Sequence, residues 1–207
     1  MALTSVTAFA ALLPTTAADL SVFEPTQLPG CRSPGTQTLI AAEDSYVDQD
    51  SPTTTNGSNI NLFVMSKTTL LGLGGDDNRR TYVKFSLPSL PQACVLTAAT
   101  LRLNAKSAAS GRTIQAFRAN GAWAEGTLTW NNQPGGTGSA ATSSSGTGWR
   151  TWTVTTHVQQ MYSGTNNGFM LRDLTENDGI TGHSQNYRSS EDTIDRPELV
   201  ITIGNPP

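Results

Sequence analysis

An antiparallel β-sandwich with one short helix is the fold this sequence predicts, and three observations carry it. Short runs of alternating apolar and polar residues recur from Thr38 onward. Clusters of Gly, Pro, Asn and Ser separate them, and a single stretch has helical spacing. Many short strands with turn signals between them belong to sandwiches and barrels. A length of 207 residues suits one such domain with a tail.

The elements follow in chain order. Residues 1–18 lean apolar through Val6, Phe9, Leu12 and Leu13 and end in small residues, like the apolar core and cleavage end of a signal peptide. No basic residue precedes that run, which is compatible with a start upstream of Met1; the competing reading is a strand-like or disordered leader. Residues 19–37, with Pro25, Pro29, Gly30, Pro34 and Gly35, read as a linker or N-terminal extension, and 38–204 as the sandwich domain. Strands are expected at 61–65, 81–87, 99–105, 113–118, 149–154, 168–172 and 198–203. Within 99–105, Leu101 and Leu103 alternate with Thr100, Arg102 and Asn104, the period of a half-buried strand. The stretch 155–162 opens with Thr155 and Thr156 as caps, spaces Val158 and Met161 by three and closes near Gly164, which predicts the helix. Residues 135–148, almost all Gly, Ser, Thr and Ala, are expected to form a mobile loop.

Composition excludes several functions. Thirteen Lys and Arg are spread thinly in a chain of net charge −3, so the basic stripe that nucleic acid requires is missing. No stretch approaches the length of a membrane span. Cys31 and Cys94 form no C-x-x-C signature; they read either as a bridge closing a long loop or as two free thiols. Charged residues are only 14% of the chain, and the polar surface is mostly uncharged Ser, Thr, Asn, Gln and Gly. That suits hydrogen bonding to neutral sugars and is also ordinary for secreted β-proteins.

Several segments line up with one family. These are Asp44-Ser45-Tyr46-Val47, then Arg80-Thr81-Tyr82-Val83-Lys84-Phe85, then Trp123-Ala124-Glu125 leading to Thr129-Trp130-Asn131-Asn132-Gln133-Pro134. Tyr187-Arg188-Ser189-Ser190-Glu191 and Arg196-Pro197 follow. Across residues 41–203 the chain resembles DNRLRE (disaggregatase-related) domains. The resemblance implies a jelly-roll-like sandwich in a secreted or cell-surface protein, often beside polysaccharide-degrading enzymes and treated as carbohydrate-binding. Thr153 stands where that family usually has an aspartate, which weakens any role carried over to that position.

Catalysis is poorly supplied. Glycoside hydrolysis needs two carboxylates across the scissile bond, and Glu125 is the only acid between Asp77 and Asp173. With His157 and His183 the only histidines, a nucleophile–histidine set has little to draw on. Four residues are candidates for sugar binding: Trp149, Trp152, Tyr187 and Arg188. Trp149 and Trp152 are three apart on one strand and so point to opposite faces, only one of them inward. Trp123 and Trp130, with Tyr82 and Phe85, are expected in the core. Loop acids supply oxygens of the kind calcium takes: Asp48 and Asp50 with Asn56, and Asp173, Glu176 and Asp178. Neither set has EF-hand spacing, and solvated acidic loops are the competing reading.

The expectation is therefore a secreted non-catalytic module, with structural calcium, that holds an attached enzyme or a cell surface against polysaccharide. The rival is a stalk or adhesin domain with no glycan ligand.

Overall fold

A computed structural model describes residues 30–69 and 76–207. The segment expected as a signal peptide and most of the expected linker lie outside the described residues. The strands are β1 Gly35–Ile40, β2 Glu43–Asp48, β3 Asn61–Ser66, β4 Arg79–Lys84, β5 Val95–Ala108 and β6 Thr113–Ala119. Then come β7 Gly136–Ser144, β8 Gly148–Thr153, β9 Phe169–Asp173, β10 His183–Arg188 and β11 Glu198–Gly204, with helix α1 at Thr155–Ser163 between β8 and β9. β1 begins at Gly35, inside the tail of the expected linker.

All pairings are antiparallel. The strand order is β1-β11-β5-β10-β3-β4-β9-β6-β7, with β2 added to β4 and β8 added to β5. The sheet curls, so that its two halves face each other across one core.

β5 is the spine of this arrangement. Its inward residues Ala99, Leu101, Leu103 and Ala105 are at most 3% exposed, while Thr100, Arg102, Asn104 and Lys106 alternate outward. β8 pairs along one edge, from Thr100 to Ala105. The other edge carries β11 from Val95 to Arg102, then β10 from Ala105 to Ala108. Each buried Leu, Ile or Phe contributes about 1.5–3 kcal/mol relative to exposure. The main cluster draws Leu62, Val83, Leu101, Ile114, Trp152, Phe169, Leu199 and Ile201 together from both halves.

A second cluster lies on the opposite face of β4 and β9, beneath the 120–135 loop. Strict alternation divides the two: Val83 and Leu171 face the main core, while Tyr82 and Met170 face Val47, Trp123 and Leu128 in the smaller one. Tyr82 is completely buried, and its hydroxyl donates to the carbonyl of Pro134 at 2.6 Å, which ties the loop down.

Two local expectations are corrected. The 135–148 stretch is largely strand β7, paired with β6. Backbone hydrogen bonds need no apolar alternation, and small residues leave room for side chains of neighbouring strands. A Cβ on Gly136 would lie 2.6 Å from Met170 Cε and 2.8 Å from Phe117 Cβ. The helix does form, but Thr155 does not cap it. The N-cap position is Val154, without a side-chain cap, and the Thr155 hydroxyl accepts the Ala99 amide of β5 at 3.0 Å. Val158 and Met161 pack into the main core.

Cys31 and Cys94 are joined by a disulfide across 63 residues, linking the segment before β1 to the start of β5. The Cys31 amide also donates to Asn205 Oδ1 at 2.6 Å.

Candidate functional site

Strand alternation splits the four expected sugar-binding residues into two pairs. Trp152 is 1% exposed and Tyr187 completely buried. Their rings meet edge to face with centroids 6.2 Å apart, and the Trp152 indole N–H donates to the Ile114 carbonyl at 2.9 Å. Neither ring has a face to offer a ligand, which corrects both assignments. Burial, the largest cause, pushes the Tyr187 phenol up.

Trp149 and Arg188 lie on the other side. Trp149 sits opposite Asn104 of β5, and Thr151 opposite Arg102. The Arg102 guanidinium stacks 4.5 Å from the Trp149 ring centroid and is held from behind by Glu198 at 3.0 Å. Trp149 is half-buried, with Asn104, Thr100 and Thr151 as polar neighbours on the same outward face. Further along β5, Lys106 and Arg188 both bind Asp192, at 3.1 and 2.7 Å.

A second aromatic surface, which sequence reasoning missed, lies on the outer face of β4, β9 and β6. Glu176 takes Arg80 in a two-pronged contact at 2.7 and 2.8 Å, with Arg172 at 3.8 Å. Arg80 stacks 4.7 Å from Trp130, and Arg172 lies 5.2 Å from Phe117. Trp130 is thus a half-buried rim residue rather than a core residue. Trp123 is buried, with its N–H donated to Asn167 O at 2.7 Å and Lys84 Nζ 4.5 Å from its ring. Phe85 is buried in the main core.

Four of the five acids expected to hold calcium pair with arginines of the protein. Arg112 grips Asp173 with two bonds of 2.9 Å and reaches Asp178 at 2.6 Å, while Glu176 belongs to Arg80. Asp48 pairs with Arg79 at 3.0 Å and accepts the Asp50 backbone amide; the Asn56 side-chain Nδ2 donates to Tyr46 O. Asp50 is exposed. Among the described residues, neither expected set converges on one point: Asp173 and Asp178 turn toward Arg112, Glu176 toward Arg80 and Asp48 toward Arg79.

A family model described as carbohydrate-binding module family 96 matches residues 35–203, from the first residue of β1 into β11. The chain belongs to carbohydrate-binding module family 96. No curated protein matches it. No helix among the described residues is long and apolar enough to cross a membrane.

Within the family-96 module, one group of acids does converge. Carboxylate oxygens of Asp44, Glu125 and Glu191 all lie within 4.8 Å of one another, the one such group among the described residues. Asp44, on β2, is completely buried. Its amide donates to Glu125 Oε1 at 3.0 Å, and its Oδ2 accepts the Ser190 amide at 2.7 Å, but its Oδ1 has no partner. Burial first, then the Glu191 and Glu125 charges, push the Asp44 carboxyl up to about 8. Glu125 is seated by its own amide, which donates to Glu43 Oε2 at 3.2 Å, and Glu43 is paired with Lys84 at 2.9 Å. Gly57 makes this seating fit: a Cβ there would lie 2.4 Å from Glu125 Cγ and 2.6 Å from its carbonyl oxygen.

Pockets lie elsewhere. A depression of about 500 Å³ between α1 and the start of β5 is lined by Leu90, Val95, Gln159 and Tyr162 among others, with no Asp or Glu side chain among the described residues that line it. Tyr162 uses its hydroxyl on Pro88 O at 3.0 Å.

Proposed function

We propose that this module binds polysaccharide, without turning it over, on the outward face of β5 and β8, and that it serves to target a secreted protein to that polysaccharide. The observation that carries the reading is the Trp149–Arg102 stack on an open sheet face, with Asn104 and Thr151 beside it. An indole stacks on the C–H face of a sugar ring, while amide, hydroxyl and guanidinium groups bond the ring hydroxyls. The family supports a carbohydrate ligand, and the motif resemblance to DNRLRE domains points the same way. A disulfide together with a family of this kind supports an oxidising, extracellular setting.

Two features support binding without catalysis. Among the described residues, no Asp or Glu side chain lines the depression beside α1. In the converging group of Asp44, Glu125 and Glu191, Asp44 is fully buried and cannot reach a substrate carbon.

A single ring stacked on a sugar contributes about 1–3 kcal/mol, by analogy with bases on aromatic side chains. A Kd of ~1 mM already requires about 4 kcal/mol. Isolated binding is therefore weak, and useful retention comes from tethering to a second module or an enzyme. Affinity electrophoresis through gels containing different polysaccharides tests this. Trp149→Ala abolishes retardation at an unchanged melting temperature. Loss on Trp130→Ala with Trp149→Ala retained would move the site to the β4–β9–β6 face. No retardation by any polysaccharide would leave the module a spacer.

A further inference from the structure

We propose that Asp44, Glu125 and Glu191 form a binding site for a hard divalent cation of the calcium class. This goes beyond the glycan reading and does not depend on it. The three residues come from β2, the 120–135 loop and the loop between β10 and β11, yet their oxygens meet within 4.8 Å. Calcium binds oxygen at about 2.3–2.6 Å, so two ligands of one ion lie at most about 5 Å apart. The spacing meets that limit.

The second observation is the orphaned Oδ1 of Asp44. A buried carboxylate oxygen without a partner is costly to leave so, and here it belongs to a fully buried side chain facing two further carboxylates. Other acids of the module are matched to cations of the chain: Asp173 to Arg112, Glu176 to Arg80, Asp48 to Arg79 and Glu43 to Lys84. Among the described residues, no lysine or arginine pairs with Asp44, Glu125 or Glu191. Three carboxylates together, one dry and unbonded at one oxygen, ask for a cation. Water and backbone oxygens complete the six to eight ligands calcium takes.

Such an ion would hold the 189–197 loop, where Glu191 adjoins Asp192, the residue that binds Lys106 and Arg188 on the outward face of β5. It would also clamp the 120–135 loop over the smaller core.

The test is calorimetric titration of calcium chloride into the EDTA-stripped protein, with melting curves alongside. Expected are one calcium per chain and a melting temperature that rises with calcium and falls back with EDTA. Glu191→Gln, an exposed and isosteric change, weakens affinity at least tenfold, whereas Asp195→Asn on the same loop leaves it unchanged. No heat and no melting shift up to about 10 mM calcium, above the range of weak extracellular sites, overturns the proposal and leaves the cluster sharing protons. Calcium binding that survives Glu191→Gln and Glu125→Gln overturns it as well, because the ion then sits elsewhere.

Discussion

Arg112 and Asp173 form a two-pronged contact, 2.9 Å on both arms, with the carboxylate 1% exposed. Asp173 ends β9 and faces inward beside Ile114 of β6. Asp173 Oδ1 also accepts the Thr175 amide, so the pair fixes the turn that leaves the strand.

Arg112→Met strands that carboxylate in a dry site. Removing one partner of a buried ion pair costs about 3–5 kcal/mol, and the variant should lose that much in urea denaturation. Arg112→Met combined with Asp173→Leu should recover a large part of it, because the charge goes with its partner. A double variant as unstable as the single one would show that Arg112 matters through packing alone.

The core was legible wherever alternation is strict. Leu101 and Leu103 with outward Thr100, Arg102 and Asn104 announce β5 unaided. The opposite facing of Trp149 and Trp152 follows from their spacing, but which one points inward depends on register. Trp152 pairs with Leu101, and that pairing takes it inside. Tyr187 was illegible because its strand hides its period: Gln185, also completely buried, is the preceding inward residue, and its Nε2 donates to Ala109 O. β7 was illegible because its ladder is carried by backbone groups of residues with almost no side-chain signal. The converging acids were out of reach because Asp44, Glu125 and Glu191 are brought together by three different loops and strands. Each segment was conspicuous as a motif, and none announced a shared point.

Reducing the Cys31–Cys94 bridge should lower stability by about 4 kcal/mol, as expected for closing a loop of 63 residues in the chain-entropy account. The urea midpoint with and without reductant measures it, and Cys31→Ser with Cys94→Ser should match the reduced protein. An unchanged midpoint would mean that the bond closes a loop already restrained in the unfolded chain.

His157 should make the module sensitive to mild acid. It is 8% exposed, its Nε2 lies 2.8 Å from Ser139 O and its Nδ1 has no partner. Burial above all, and the Arg118 charge, lower its pKa from 6.5, although the Ser139 contact acts the other way. The unfolded chain therefore binds the proton more readily than the folded one. The stability His157 lends is full above the unfolded value of about 6.5 and is lost as pH falls from there toward the lowered folded value. Melting temperatures of wild type and His157→Gln should diverge in slope across that window and run parallel above it. Parallel curves throughout would show that the ring titrates normally.

The bridge also sets how the module carries force. β1 and β11 run side by side, Gly35 opposite Ile203, and β5 meets β11 at the same end, Val95 opposite Gly204. A pull applied before Cys31 and after Gly204 would, without the bridge, peel β1 from β11 rung by rung. With Cys31 bonded to Cys94 the tension bypasses β1 and enters at the head of β5. The first rung to bear load is then the one between the longest strand and β11, with β1 held slack beside it. Resistance to pulling is a rate set by the unfolding barrier, so oxidation decides which seam of the sheet opens first under tension.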